Sequence, residues 1–224
     1  MSELYVLVGA VLAIDTALLA LLVWAYHSPR FAAHRIGGPP PMRLPWQHRL
    51  RTMSTTSTLS LATVLGVIYL LHDHLLHDRP VAAWTIPMQA AGILLVYDFA
   101  YYFLHRAMHQ WTLLRGVHGV HHRARNPSAL ESFYQHPVEL LAGLALLFGA
   151  TWVVGPVHVH AFALTFLVYS TLNILVHAGL VSRVPALAPL DFLVRKHHAH
   201  HASDPHKNYS TMTPLPDWLF GTAR

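Results

Sequence analysis

Residues 84–109 read WTIPMQAAGILLVYDFAYYFLHRAMH. An apolar run from Trp84 to Leu104 leads directly into His105 and, four residues later, His109. At 1.5 Å rise per residue such a run covers about 30 Å as a helix, the thickness of bilayer hydrocarbon. Its last turn would deliver two imidazoles from one face. Four more apolar runs lie at Leu4–Ala25, Thr55–Leu71, Val138–Val154 and Val157–Leu180, with Asp15 and Glu139 among their few charges. No basic residue precedes the first run and no small-residue cleavage site follows it, so it reads as a retained helix. The expectation is an all-α polytopic membrane protein of about five transmembrane helices, with a small cytoplasmic helical cap that carries the histidines.

Composition supports this class. Apolar residues of the AVILMFWYC set make up 54% of the 224 residues and charged ones only 11%. A soluble domain uses about 25% charged residues to cover its surface, so a typical soluble enzyme is excluded, and a disordered chain more firmly. There are no cysteines, which removes disulfides, thiolate metal sites and thiol nucleophiles. Histidine is abundant, with 20 copies against 10 Asp plus Glu.

The net charge of +5 follows the loops. Of 15 Lys and Arg, 14 fall in segments 27–53, 105–137 and 181–224, and only Arg79 lies on the opposite side. Positive loops stay in the cytoplasm, which predicts an outside N-terminus and a cytoplasmic histidine-rich face. The excess charge is then a topology signal and an attraction to anionic lipid, with no nucleic-acid partner. Gly37-Gly38-Pro39-Pro40-Pro41 separates the first helix from the rest, and Gly155-Pro156 is the turn of a helical hairpin. The division expected is 1–53, an N-terminal helix with a basic linker, and 54–224, a membrane catalytic domain. The absence of internal repeats disfavours an inverted-repeat transporter.

The histidines on the basic side form patterns: His105-x3-His109, His118-x2-His121-His122, a lone His177, and His197-x2-His200-His201. On a helix, positions i, i+3 and i+4 share one wall, so each H-x2-HH can hold one metal or bridge two. Imidazole suits iron, zinc, copper and nickel; eight or nine imidazoles exceed the four ligands of a single zinc and favour two ions. One H-x3-H at a membrane boundary is an ordinary interfacial pair. The set taken together, on one face, is a metal site.

These stretches carry a family resemblance. Asp98 through His109, then His118-Gly119-Val120-His121-His122, Tyr134-Gln135-His136-Pro137-Val138-Glu139, and the run from His197 through Asn208-Tyr209 to Thr222 resemble the fatty acid hydroxylase/sterol desaturase superfamily. The resemblance covers about 54–224 and implies a four-helix membrane core, to which the first helix is an addition. It implies two iron ions held by His105, His109, His118, His121, His122, His177, His197, His200 and His201, with zinc able to substitute. It further implies O2 as co-substrate, a bilayer lipid as substrate, and hydroxylation or desaturation of a C–H bond. Electrons would come from a separate NAD(P)H-linked reductase or carrier, since the chain has no GxGxxG; Arg123, Arg125 and Lys196 could dock an acidic carrier. Where some members carry another histidine this chain has Asn173, whose amide would hold a water. Ser210 and the order Asp217-Trp218 also depart from the usual pattern.

Three residues are expected just outside the ligands. Asp98 lies seven residues before His105, on nearly the same face, where a buried charge needs a partner; it is expected to accept from a ligand histidine ring, or else to pair with Tyr102 or Arg106. His136 and Asn173 join it, although His136 with Glu139 reads equally well as a helix start. His198 points off the shared face, Asp15 has no nameable partner, and His72, Asp73, His74, His77 and Asp78 form a solvated outer loop. The rivals are a histidine-rich metal transporter or metal-binding protein and, within oxidative chemistry, a carotenoid hydroxylase. A zinc hydrolase lacks HExxH. A bacterial inner membrane is the expected location.

Overall fold

The computed structural model describes residues 2–37 and 45–224. Most of the Gly37–Pro41 linker, and Arg43, therefore lie outside the described residues. Five long helices form the bundle: α1 (Ser2–His27), α2 (Trp46–Leu75), α3 (Thr85–Gln110), α5 (Pro137–Val154) and α6 (Val159–Val176). Short helices α4 (Thr112–His118), α7 (Ala188–Ala202) and α8 (Leu215–Leu219), with tight 3-10 turns, build the cap. Two two-residue strands, β1 (Leu76–His77) and β2 (Val157–His158), pair in parallel at the opposite end.

Four helices, α1, α2, α5 and α6, are long and apolar enough to cross a membrane. α3 matches α1 in length at 26 residues but carries Asp98, His105 and His109, all buried inside the bundle. Its polarity serves the interior of the protein. α3 packs on α5 and α6, α1 on α6, and α2 on α5. Between them lie Ile93 and Tyr97 of α3, Leu144 and Leu147 of α5, Phe162 and Phe166 of α6, and Val64 and Ile68 of α2.

The outer surface is apolar too. Val6, Leu70 and Val153 are about 70% exposed, and Trp24, Trp84 and Trp152 stand out near helix ends, the placement of aromatic anchors at a membrane interface. α1 is tied to α6 by a buried polar contact, in which Asp15 accepts from the Thr171 hydroxyl at 2.9 Å, and by an exposed one between Glu3 and His160 at 3.1 Å. The expected division at residue 53 falls inside α2.

The hairpin turn stands where expected, with Gly155 at φ 99° and its N–H on the carbonyls of Thr151 and Trp152. The three basic segments meet at one end. Arg35 bridges Leu180, Ile36 N–H donates to the Gly179 carbonyl, and Arg49 pairs with Glu131. At the outer end His72 pairs with Asp73, which is 96% exposed, and the His77 ring meets that of His158, which stacks on His160.

Candidate metal centre

The end of α3 turns His105 and His109 inward, and both are buried. α4 ends at His118, Gly119 follows, and a 3-10 turn carries His121 and His122. His177 caps the C-terminus of α6, and α7 presents His197, His200 and His201 along one side. These nine imidazoles fall into two groups. The first holds His105, His109, His118, His122 and His200; the second holds His121, His177, His197 and His201; within each, the ligand nitrogens lie within 4.8 Å of one another. The groups adjoin, with the rings of His122 and His201 stacked at 4.5 Å. Each H-x2-HH is thus split between both groups. These two are the groups of this kind among the described residues.

The hydrogen bonds fix the tautomers. Nδ1 of His105 donates to the Tyr209 carbonyl (2.6 Å), His121 to Tyr134 (3.1 Å), His177 to Asn173 (2.6 Å), His200 to Lys207 (2.7 Å) and His201 to Ala124 (3.0 Å). A carbonyl only accepts, so in each ring the proton sits on Nδ1 and Nε2 keeps a bare lone pair. His118 Nδ1 is held the same way by the Glu139 carboxylate at 2.8 Å. Yet the Nε2 atoms face each other: His105 to His118 at 2.9 Å, His118 to His122 at 2.9 Å, His177 to His121 at 3.1 Å and His197 to His177 at 2.9 Å. Converging lone pairs repel unless a cation stands among them.

Protons are poor candidates for that cation. Burial pushes the His118 imidazole down to about 3 and lowers His121, His122, His197, His200 and His201 as well. Two neighbouring sets of five and four neutral imidazole donors fit two transition-metal ions.

The C-terminal segment 207–222 wraps the first group, and three buried charges hold it. The Asp98 carboxylate accepts from the N–H groups of Met212 (3.1 Å) and Thr213 (3.0 Å) and from the Thr213 hydroxyl (2.6 Å). Asp98 therefore touches no histidine, nor Tyr102 or Arg106. It fixes the strap whose Tyr209 and Lys207 carbonyls orient His105 and His200. Asp217 accepts from Tyr209 N–H (2.8 Å), Ser210 N–H (3.0 Å) and the Thr222 hydroxyl (2.7 Å), and pairs with Lys196 at 2.7 Å. Burial alone would raise the Asp217 carboxyl, but Lys196 and these hydrogen bonds hold it below the usual carboxylate range. Ser210 uses its extra hydroxyl to accept from Lys196 at 2.7 Å.

Other expectations need correcting. Lys196 is buried in this ion pair and cannot dock a carrier, whereas Arg123 and Arg125 are exposed. His136 caps α5, its Nδ1 accepting from Val138 N–H at 3.1 Å, and contacts no ligand. Asn173 meets His177 through its carbonyl, not its amide. His198 stays out of both groups and packs where a side chain at Gly37 (φ 84°) would stand. Glu139 is the residue the sequence underrated: it reads as a helix-start charge, and only the packing of α5 against α4 puts it on His118. Nothing in the spacing signals this.

The fatty acid hydroxylase family model matches residues 90–222, a span that contains all nine histidines. Methylsterol monooxygenase 2-2 of Arabidopsis thaliana is 31% identical over 156 residues, 64% of this chain and 55% of the relative. A very-long-chain aldehyde decarbonylase of Oryza sativa subsp. indica is 34% identical over 155 residues, with the same coverage. Methylsterol monooxygenase 1 of Rattus norvegicus is 29% identical over 139 residues, 58% of this chain and 45% of the relative. The chain thus spans about half the length of the curated relatives it matches. No solved structure matches it. With more than half of its length matched, and the histidine-bearing elements inside that match, the chain belongs to the fatty acid hydroxylase family.

Proposed function

We propose that this chain is a membrane oxidoreductase that uses O2 and a histidine-held pair of iron ions to oxidise a C–H bond of a lipid. The observation that carries the reading is the pair of adjoining imidazole groups in which the Nδ1 bonds of His105, His118, His121, His177, His200 and His201 turn their Nε2 lone pairs inward. The first ion would sit among His105, His109, His118, His122 and His200, and the second among His121, His177, His197 and His201. When bound, the metal pair supplies the O2 activation and electron transfer that C–H oxidation requires.

The chain's own part is to orient and exclude. Backbone carbonyls of Tyr209, Lys207, Tyr134, Asn173 and Ala124, with Glu139, hold the rings by the atoms that face away from the metal. The apolar bundle keeps water from the bilayer side. A lipid ligand accords with the names of the relatives, which specify methylsterol and very-long-chain aldehyde chemistry. It also accords with an apolar cavity of about 320 Å3 between α1, α6 and α7, lined by Leu22, Phe31, Leu175, Val181 and Val194. Val194 lies one turn before His197 on α7.

In this reading α3 is the fifth span, 54–224 carries the chemistry and α1 braces it. The histidine end faces the cytoplasm of a bacterial inner membrane. Electrons come from an external NAD(P)H-linked partner that meets Arg123 and Arg125. The test is metal content per chain after expression in iron-replete medium. About two irons are expected, and His200→Ala and His121→Ala, one in each group, should each lose about one. Metal content near zero in the wild type, or unchanged in both variants, would refute the reading.

A further inference from the structure

The Tyr209 ring lies against three rings of the first imidazole group, 5.5 Å from His109, 5.7 Å from His105 and 5.9 Å from His200. Behind it stands Tyr102, edge-on at 5.9 Å, and both tyrosines are buried. Phe220 stacks on Tyr102 at 5.1 Å and is 43% exposed. A row of aromatic rings thus runs from the metal ligands to the protein surface.

The hydroxyl of Tyr102 has a defined proton route. Thr222 gives its one hydroxyl proton to Asp217, 2.7 Å away, so Tyr102 is the donor in its 3.1 Å bond to Thr222. Asp217 is a carboxylate paired with Lys196 and accepts a proton passed along these two bonds. Arg106 donates to the Tyr102 oxygen at 3.0 Å. Its fixed positive charge opposes a cation on the ring, so an electron and a proton have to leave Tyr102 together.

An oxidant strong enough to break an aliphatic C–H bond also oxidises a phenol, whose O–H bond is weaker. We propose that Tyr102 is a one-electron donor to the metal pair, which discharges the site when it has reacted with O2 and no lipid is in place. One electron passes from Tyr102 by way of the Tyr209 ring to the oxidised metal pair. The Tyr102 O–H bond breaks, its proton moves to the Thr222 oxygen, and the Thr222 proton moves to Asp217. Tyr102 is left as a neutral phenoxyl radical, and the half-exposed Phe220 is where an external reductant restores it. This rests on the oxidoreductase reading above and adds a protective function to it. A second row, Tyr101, Tyr97 and Tyr169, leads from His105 at 5.4 Å into the apolar core. It is not joined to Thr222 and Asp217, and it serves as the internal comparison.

The experiment mixes reduced, iron-loaded, lipid-free protein in detergent with O2, freezes it rapidly and records the EPR spectrum, with iron per chain measured on the same samples. A second preparation carries ring-deuterated tyrosine. The wild type should show an organic radical whose splitting collapses with the label, which assigns it to tyrosine. Tyr102→Phe keeps the ring and should lose the signal at unchanged iron content. Thr222→Val keeps Tyr102 but removes the proton route, and should cut the radical yield severalfold. Tyr101→Phe should leave the signal in place. No tyrosine radical in the wild type at full iron content, or a signal that survives Tyr102→Phe, would overturn this inference alone. Iron-free wild type would overturn the oxidoreductase reading beneath it.

Discussion

Asp98 and Thr213, 115 positions apart, share two hydrogen bonds: the Thr213 N–H reaches Asp98 Oδ2 at 3.0 Å and its hydroxyl reaches the same oxygen at 2.6 Å. A charge fully buried in α3 thereby sets the height of the strap that carries the Tyr209 carbonyl to His105. Asp98→Asn would turn a donor toward at least one of three donors. We expect metal retention against a chelator to fall about 10- to 100-fold, the usual effect of losing an outer partner of a ligand, with the fold retained. Unchanged retention would separate the strap from the site.

The Lys196–Asp217 pair should be costly to halve. Lys196→Met strands a buried carboxylate, and removing one partner of such a pair costs about 3–5 kcal/mol. Thermal unfolding in detergent should show that loss, and Lys196→Met with Asp217→Asn should recover part of it. A double variant no better than the sum of the two single changes would mean that the ions act independently.

Acid should destabilise the metal-free protein. The folded His118 imidazole titrates at about 3 because it is buried, whereas an unfolded histidine titrates near 6.5. Between these values the unfolded chain binds more protons, so stability rises with pH and falls as pH drops through the window, by about 1 kcal/mol per pH unit for each such ring. His197, His200 and His201 are lowered in the same direction, which makes the slope steep. Denaturant titrations from pH 7 to pH 4 should show it; a flat profile would mean that these rings are solvated. Iron release should follow the same sign, since protons compete for the Nε2 lone pairs.

The contact between Asp15 and Thr171 tests what α1 does. Thr171→Val leaves a buried carboxylate without its donor and should cost about 1–3 kcal/mol. Asp15→Ala with Thr171→Val should cost less than Thr171→Val alone. If neither changes the unfolding temperature, α1 is held by apolar packing and the exposed Glu3–His160 contact, not by Asp15.

Much of the architecture is legible because a bilayer leaves few options. Apolar runs the length of a span have to be helices, and Trp84–Leu104, Val138–Val154 and Val157–Leu180 correspond to α3, α5 and α6 with ends shifted by a few residues. The gathering of the basic segments at one end was legible from charge. The partners of Asp98, Asp15 and Lys196 were not. Each is more than ten positions away in sequence, at Thr213, Thr171 and Asp217, and spacing along a helix says nothing about which loop folds across it.

Sequence alone determines that this chain is helical, apolar on its outer surface and equipped with histidines in one H-x3-H and two H-x2-HH patterns, because side-chain periodicity and transfer free energy are local properties. Tertiary structure alone decided that each H-x2-HH is divided between two groups, that Glu139 grips His118 while His136 merely caps a helix, and that a strap anchored by Asp98 and Asp217 aims the rings. Those choices depend on which nitrogen of each imidazole finds a carbonyl, and that partner is supplied by a distant part of the chain.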